Sequence, residues 1–301
     1  MTPDVSLLIC TRDRSVSLAA TLASVARAAA GAGIAIEVVV VDNGSGDDTA
    51  NVATAWCAAQ PFSARLLTET RPGLARARNA GLAVVRGRIV AMTDDDCRLH
   101  PGYFPALVRA FAGSGGPAII GGRILPGDPA DLPVTLKLED HPMIADPGRF
   151  PGGFVMGANL AFTADVPARV GPFDEQFGAG APFVSAEDTD FLFRATRLGI
   201  ALLYDPCFVV DHHHGRRRVE EETRLLAGYG FGDGALYAKH LLRDRRVLAA
   251  IGQDLDDLKR DATDPVTTHA GIRRFYAFRL RHKARGFLSY AWRSIRGRRE
   301  A

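Results

Sequence analysis

Short apolar runs alternate with longer amphipathic segments along the first third of the chain. Three strong runs rich in β-branched residues and one weaker run predict strands at 5–10, 36–41, 88–93 and 65–68. Apolar residues that recur at helical spacing between these runs predict helices at 15–30, 47–59 and 73–85. This alternation predicts an α/β fold class with a Rossmann-like, mostly parallel sheet flanked by helices.

The pattern continues less regularly beyond residue 100. It predicts helices at 101–111 and 187–198 and strands at 118–124, 154–162 and 202–210. The six prolines within 126–151 exclude a regular element and predict a surface loop over a site, and 178–185 is a second, glycine-rich loop. Residues 216–301 are predicted to be helical, with breaks at 228–234 and Asp264-Pro265.

These patterns divide the chain into two parts. We expect one α/β domain over residues 1–215, with halves at 1–97 and 98–215, followed by a helical, basic C-terminal extension over 216–301. The chain has 301 residues, of which 47% are hydrophobic, and this is enough for one sizeable core. The first four residues lead directly into an apolar strand without a signal-type segment, so we expect a cytoplasmic protein. The four cysteines include no C-x-x-C pair, which argues against a disulfide framework.

The charge is unevenly distributed. Residues 273–301 carry ten Lys or Arg and one acid, a local charge of +9, whereas the rest of the chain carries −6. Leu288, Trp292 and Ile295 share one helical stripe, while Arg293, Arg296 and Arg299 lie mostly off it, with Gly286 as a predicted hinge. Such a stripe fits an anionic membrane surface, but it also fits packing against the protein's own body or against a second subunit in a homo-oligomer. No recognised nucleic-acid module accompanies the basic tail, so no nucleic-acid partner is expected.

Polar residues follow the apolar strands where an open α/β sheet binds its ligands, at the carboxyl ends. The first strand ends in Thr11 and Arg12, the second in Asp42, and the third in the triplet 94–96, which is entirely acidic. Converging carboxylates repel each other unless a cation offsets them, and oxygen ligands suit Mn²⁺ or Mg²⁺. Neither G-x-G-x-x-G after the first strand, nor a P-loop, nor G-x-S-x-G is present, which disfavours dehydrogenases, P-loop NTPases and α/β-hydrolases.

Five blocks occur in a specific order between residues 4 and 214: VSLLICTRDR, VVVVDNGSGDDT, RPGLARARNAGLAVVRGRIVAMTDDD, GPFDEQF and AEDTDFLFRATRLG. Together they resemble the family-2 inverting glycosyltransferases with the GT-A fold. The resemblance implies a metal-dependent enzyme that moves a sugar from a nucleotide diphosphate sugar to an acceptor hydroxyl, in cell-surface or other glycan or glycolipid biosynthesis. It makes 1–97 the nucleotide-binding half and 98–215 the acceptor and catalytic half, and it does not extend to 216–301.

The resemblance also implies roles for individual residues. The expected nucleotide-sugar contacts are Thr11, Arg12, Asp42, Arg71, Arg78, Asn79, Asp94 and Asp95. Asp96 would bind the metal, Mn²⁺ or Mg²⁺, and Asp188 would be the general base, supported by Glu187. A histidine of the 212–214 triplet would complete the metal site. Strand alternation places His212 and His214 on one side, and His214 is preferred with His212 as the alternative.

Other interpretations remain open at this point. The acids after the second strand also fit a turn and a helix N-cap, those at 94–96 a solvated turn, and Glu187 and Asp188 a helix start capped by Ser185. The histidine triplet also fits a structural or phosphate-contacting cluster with Arg216, Arg217 and Arg218.

Two other functions compete with glycosyl transfer. A sugar-1-phosphate nucleotidyltransferase would share the fold, but Thr11 and Arg12 are not followed by that family's glycine-rich loop. A non-catalytic binding protein would use the basic tail, but the intact acidic blocks argue against it. The tail leads to the further hypothesis that the enzyme is peripheral at the inner face of the cytoplasmic membrane and that its acceptor is lipid-linked or membrane-proximal.

Overall fold

A computed structural model describes residues 2–263 and 271–297. Its strands form one sheet and comprise β1 (Val5–Thr11), β2 (Ile36–Asp42), β3 (Ser63–Thr68), β4 (Ile89–Asp94), β5 (Cys97–Leu99), β6 (Ala118–Pro126), β7 (Met143–Ile144), β8 (Asn159–Thr163) and β9 (Ala201–His212). The strand order is β3-β2-β1-β4-β8-β6-β9-β5, with β7 paired to β9. The β3-β2-β1-β4 portion and the β6-β9 pair are parallel, and β8 runs antiparallel to both of its neighbours.

Helices cover both faces of the sheet. They are α1 (Ser15–Ala29), α2 (Thr49–Ala58), α3 (Leu74–Leu82), α4 (Tyr103–Phe111), α5 (Val166–Val170), α6 (Glu187–Arg197), α7 (Val219–His240), α8 (Arg245–Thr263) and α9 (Phe275–Gly297). One apolar cluster joins Leu22 of α1 and Phe104 of α4 to one face, and a second joins Ala77 of α3 and Phe191 of α6 to the other. The predicted α/β fold class is confirmed.

Strand register brings the polar strand ends together. Thr11 is paired with Asp42, and Cys10 with Asp94, so the ends of β1, β2 and β4 meet at one edge. The antiparallel pairing of β5 with β9 sets Cys97 beside His212. This pairing brings the end of the last strand to the acidic triplet, although the two segments are more than 100 residues apart in the sequence.

Some elements of the α/β domain differ from the prediction. The strand predicted at 154–162 begins only at Asn159, because the preceding residues turn and face the cavity described below. Three short elements, β5, β7 and α5, escape a periodicity analysis because two to five residues are too few to establish a repeating apolar pattern. The loop at 126–151 is otherwise irregular, as expected.

The predicted helix break at 228–234 is wrong. Helix α7 continues through this segment, because Gly234 of α7 and Gly286 of α9 allow the two helices to cross closely. A Cβ atom at Gly234 would overlap the Lys283 carbonyl oxygen, and one at Gly286 would overlap the Phe231 carbonyl oxygen. Gly286 therefore lies in an unbroken helix and is not a hinge. The predicted break at Asp264-Pro265 and the predicted position of Arg299 lie outside the described residues.

The predicted stripe of α9 is exposed. Leu288, Trp292 and Ile295 are 67%, 55% and 56% exposed, while Lys283 on the opposite side of the helix is buried. The stripe therefore does not pack against the part of the chain that is described. No helix within 2–263 or 271–297 combines the length and apolar character needed to cross a bilayer.

Candidate active site

A cavity of about 1020 Å³ opens at the carboxyl ends of β1 and β4. Nine residues singled out from the sequence line it, namely Thr11, Arg12, Arg78, Asp94, Asp95, Asp96, Glu187, Asp188 and His212. They come from five separate segments of the chain, and those at the ends of β1 and β4 meet because parallel strands end at a common edge.

Asp95 ties strand β4 to helix α1. The Thr11 hydroxyl donates to its carboxylate at 2.7 Å, and the hydroxyls of Ser17 and Thr21 donate to its backbone carbonyl at 3.0 and 2.9 Å. Burial raises the pKa of Asp95 to about 6, against the opposing charge of Arg14. Its side chain thus fixes the acidic triplet, while Asp94, whose side chain is 37% exposed, faces the cavity.

Asp96 and His212 form the centre of a candidate metal site. Asp96 Oδ1 lies 3.3 Å from His212 Nε2, and this buried oxygen accepts no hydrogen bond from the described residues. Donor atoms of Asp96, Cys97 and His212 all lie within 4.8 Å of one another. Burial would raise the pKa of Asp96, but His212, Arg14 and Arg216 hold it at about 2, so the carboxylate is ionised. An ionised, unpartnered carboxylate oxygen beside an imidazole nitrogen fits a divalent cation.

The two neighbouring histidines are engaged elsewhere. His214 Nε2 lies 3.1 Å from the Leu132 carbonyl oxygen, and its Nδ1 accepts from the Arg216 backbone N–H at 3.0 Å. His213 lines a separate surface concavity. Because both ring nitrogens of His214 are used, the geometry favours His212, the alternative ligand, over the preferred His214.

Glu187 and Asp188 begin helix α6 and also line the cavity. Arg78 Nη1 donates to Glu187 Oε1 at 2.8 Å, and Arg78 Nη2 lies 3.7 Å from Asp94 Oδ1. Burial raises the pKa of Glu187, although the charge of Arg78 opposes this shift. Asp188 accepts from the backbone N–H of Gly157 at 2.9 Å and of Thr189 at 2.6 Å. The two acids therefore differ: Glu187 pairs with a cation, whereas Asp188 is held by backbone N–H groups and the Thr189 hydroxyl.

The helix start at α6 is strained. Its N-cap is Ala186, in the left-handed region with φ 73°, where a non-glycine residue costs about 1–2 kcal/mol. Ser185 is not the cap, since its hydroxyl donates instead to the Gly228 carbonyl at 2.9 Å. This turn directs Asp188 into the cavity, and such strain is common at functional sites.

Three expected nucleotide contacts do not line the cavity. Asp42 is buried and accepts from the Ser45 N–H at 3.1 Å, and Arg71 pairs with Glu69 at 2.8 Å. The Asn79 amide exchanges hydrogen bonds with the backbone of Phe173 at 2.9 and 2.8 Å.

Among the polar lining residues, Arg14, Asn43 and Tyr229 were missed by the sequence analysis, and Arg216 was named only within the alternative phosphate-contacting cluster. Asn43 accepts from the Gly73 N–H and donates to the carbonyls of Glu69 and Arg71, so it shapes the loop at 69–73. The position of Asn43 directly after β2 was an available signal. Tyr229 had none, because it lies beyond the resembling blocks, and the run of three arginines at 216–218 did not show which of them faces the cavity.

The cavity continues between the C-terminal helices. Lys283 lies at its far end, where its Nζ donates to both oxygens of Asp254 at 2.7 Å and to the Tyr237 hydroxyl at 3.1 Å. Arg279 pairs with Asp233 at 3.2 Å on the same wall. One space is therefore bounded by the acidic triplet on one side and by the helical extension on the other.

Comparisons with known proteins agree with this geometry. Residues 6–154 match the model of Glycosyl transferase family 2. Glycosyltransferase AglE of Haloferax volcanii is 28% identical over 169 residues, which cover 56% of this chain and 53% of the relative. The glucosyl-dolichyl phosphate glucuronosyltransferase of the same organism is 25% identical over 178 residues, 56% of each protein. The chain thus spans about half the length of the curated relatives it matches.

Solved structures share the architecture. The mannosyltransferase PcManGT from Pyrobaculum calidifontis, in complex with GDP-Man and Mn²⁺, matches with a TM-score of 0.63 and 18% identity over 97% of this chain and 76% of that one. S. aureus TarS matches with a TM-score of 0.51 and 16% identity over 80% of this chain and 44% of that one. The match over residues 6–154, which include the acidic strand ends, assigns this chain to the family 2 glycosyltransferases, and the solved structures show that it has the GT-A fold.

Proposed function

We propose that this chain transfers a sugar from a nucleotide diphosphate sugar to an acceptor hydroxyl, with inversion at the anomeric carbon. One observation carries the proposal: the candidate metal site at Asp96 and His212 and the carboxylate of Asp188 face the same cavity from different walls. Inversion in one step needs a group that binds the leaving diphosphate and, on the other face of the sugar, a base for the acceptor.

Asp188 acts as the base. Its backbone hydrogen bonds orient the carboxylate, and no cation pairs with it as Arg78 pairs with Glu187. The acceptor oxygen forms the new bond to the anomeric carbon and gives its proton to Asp188, while the bond between that carbon and the diphosphate breaks. Glu187 and Arg78 position the start of α6 and the neighbouring Asp94.

Asp96 and His212 would hold Mn²⁺ or Mg²⁺, which when bound stabilises negative charge on the diphosphate. PcManGT, which shares the fold, was solved with GDP-Man and Mn²⁺, and this supports both a nucleotide-sugar donor and a cation. Asp94 and Asn43 would contact the nucleoside, and their position in the cavity lining at the strand ends supports this role.

The acceptor is lipid-linked or close to a membrane in this proposal. The exposed stripe of Leu288, Trp292 and Ile295 suits contact with a bilayer, and the net charge of +9 in the sequence of 273–301 favours an anionic one. Each Lys or Arg near such a surface contributes about 1 kcal/mol of binding. The name of the glucosyl-dolichyl phosphate glucuronosyltransferase, a relative of similar sequence, supports a lipid-linked acceptor.

A donor screen tests the proposed function. The purified chain is mixed with UDP-, GDP- and dTDP-sugars, with Mn²⁺ or with EDTA, and its melting temperature is measured. We expect one donor to raise the melting temperature in Mn²⁺ and not in EDTA, because a ligand that binds only the folded state stabilises it. NMR of the transfer product should then show an inverted anomeric configuration.

Three outcomes would contradict the proposal. A product with retained configuration would refute inversion, and full transfer in excess chelator would refute the metal. Formation of a nucleotide sugar from a nucleoside triphosphate and a sugar-1-phosphate would instead identify a nucleotidyltransferase.

A further inference from the structure

Three consecutive arginines follow strand β9, and two of them are occupied at the surface. Arg217 pairs with Asp128 at 2.6 Å and with Asp131 at 3.0 Å, and Arg218 lies 3.4 Å from Glu221. The side chains of Arg217 and Arg218 are 54% and 75% exposed. Both therefore stabilise the turn that leads into α7.

Arg216 differs from its neighbours in direction and in partners. Its side chain is half-buried and lines the active-site cavity. Within residues 2–263 and 271–297 it forms no ion pair with an acid and no side-chain hydrogen bond. Its backbone is fixed on both sides, since its N–H donates to His214 Nδ1 at 3.0 Å and its carbonyl accepts from the Leu132 N–H at 2.8 Å.

The position of Arg216 is close to the candidate metal site. Its positive charge acts to lower the pKa of Asp96, of His214 and of Tyr229. Asp96 itself already forms an ion pair with another cation, because Arg14 Nη2 lies 3.2 Å from its Oδ2. The guanidinium of Arg216 is thus held beside the metal site without a carboxylate of its own.

A planar guanidinium with free N–H groups matches the oxygens of a phosphate, which it can bind through two parallel hydrogen bonds. We infer that Arg216 binds the diphosphate of the donor and remains on it as the sugar leaves, which makes it a catalytic residue supplied by the C-terminal extension. This inference rests on the proposed function. When the bond between the anomeric carbon and the diphosphate oxygen breaks, its electron pair stays on that oxygen, and Arg216 stabilises the resulting charge.

Arg216→Gln tests the inference, with Arg218→Gln as the matched control of equal charge change. Calorimetry in Mn²⁺ measures the binding of UDP, GDP and dTDP and of the corresponding nucleosides to the full chain. We expect Arg216→Gln to lower the affinity for the diphosphate that the wild type binds by roughly 10- to 100-fold, which is the effect of losing hydrogen bonds to a charged group. Binding of the nucleoside should not change, and Arg218→Gln should change neither.

Arg216→Lys adds a second measurement. It keeps the charge but loses the planar fork, so we expect affinity for the diphosphate between that of the wild type and that of Arg216→Gln. Equal diphosphate affinity in Arg216→Gln and the wild type would refute the inference and leave the proposed function intact. A matching loss of nucleoside affinity would also refute it, because it would show a structural role. If the wild type binds none of the three diphosphates, the proposed function itself fails.

Discussion

At the residue scale, Asp188 is distinguished by what does not touch it. Among the described residues its carboxylate accepts only backbone and hydroxyl hydrogen bonds from Gly157 and Thr189, and no cation neutralises it. Asp188→Asn keeps the size of the side chain and removes its basicity. We expect transfer to fall by roughly 10²- to 10⁴-fold, the usual contribution of a positioned base, while donor affinity is kept.

The measurement for Asp188 compares initial rates of transfer with calorimetric donor binding. Asp165→Asn, at the start of α5, is the control, since its carboxylate is exposed and lies outside the cavity. Unchanged transfer in Asp188→Asn would remove this residue from the mechanism.

The choice between two histidines is also a question of single residues. His212 faces the unpartnered oxygen of Asp96, whereas both ring nitrogens of His214 bond to backbone groups. We expect His212→Ala to weaken Mn²⁺ binding by at least about tenfold and His214→Ala to leave it nearly unchanged. Calorimetric titration of the purified variants with Mn²⁺ checks this, with their melting temperatures as a control for folding. A larger loss of Mn²⁺ affinity in His214→Ala than in His212→Ala would instead identify His214, the ligand preferred from the sequence.

At the element scale, helices α6 and α7 are joined by one buried carboxylate. Asp190 is fully buried and bonds to His240 at 2.8 Å, to Lys239 at 2.6 Å and to Arg194 at 2.8 Å. Burial alone would raise the pKa of Asp190, but these partners hold it well below its ordinary value. A carboxylate of lowered pKa stabilises the fold above its unfolded pKa, and this contribution is lost as the pH falls through the folded value.

This pairing predicts an acid-sensitive helix junction. Asp190→Asn should lower the free energy of unfolding at neutral pH by about 3 kcal/mol or more, because it leaves buried cations uncompensated. The difference from the wild type should shrink as the pH is lowered from about 5 toward about 2. Urea denaturation across this range measures it, and Asp165→Asn serves as the control. A difference that is independent of pH would contradict the assignment.

The crossing of α7 and α9 depends on glycine. Gly234 and Gly286 leave no room for a methyl group, whereas Gly252 in α8 has no atom within 4 Å of its hypothetical Cβ. We expect Gly234→Ala and Gly286→Ala each to destabilise the protein by about 1–3 kcal/mol through overpacking. Gly252→Ala should instead stabilise it by about 0.5–1 kcal/mol, the helix preference for alanine. Chemical denaturation measures all three, and equal effects would show that the two helices do not cross closely.

At the scale of the whole molecule, the C-terminal extension completes the active cavity and also carries the exposed stripe. Because α9 packs into α7 and buries Lys283 beside the cavity, a truncation near residue 264 would remove core contacts along with the stripe. Point substitutions on the exposed face separate the two roles.

Trp292→Ser combined with Leu288→Ser tests membrane docking. The wild type should sediment with vesicles that contain phosphatidylglycerol at low salt and not with neutral vesicles. We expect the double variant to lose at least about tenfold in vesicle affinity, since each inserted apolar side chain contributes about 1.5–3 kcal/mol. Leu198→Ser, an exposed apolar residue after α6, should leave vesicle binding unchanged. If the wild type does not bind the vesicles but forms dimers, the stripe is instead a contact surface for a second subunit.

The sequence alone determined the α/β class, the edge at which the strands end and the acids gathered there. These follow from local rules: a period of two or 3.6 residues specifies each element, and parallel strands place their carboxyl ends together. Acidic residues after a buried strand identify chemistry without any knowledge of distant contacts. Thr11, Asp94 and Asp96 were found from the strand ends and Asp188 from the resemblance of its block, and all four line the cavity.

The tertiary structure decided what depends on neighbours that are distant in the sequence. The Leu132 carbonyl and the Arg216 backbone N–H occupy both ring nitrogens of His214, whereas His212 Nε2 faces Asp96. A local analysis predicts that glycine breaks a helix. Gly234 nevertheless lies within α7, because the packing of α9 outweighs the low helix propensity of glycine. Arg216 looks like either of the two arginines beside it, and only the fold shows which one faces the cavity. Side-chain direction and partner are properties of packing, which a local pattern does not encode.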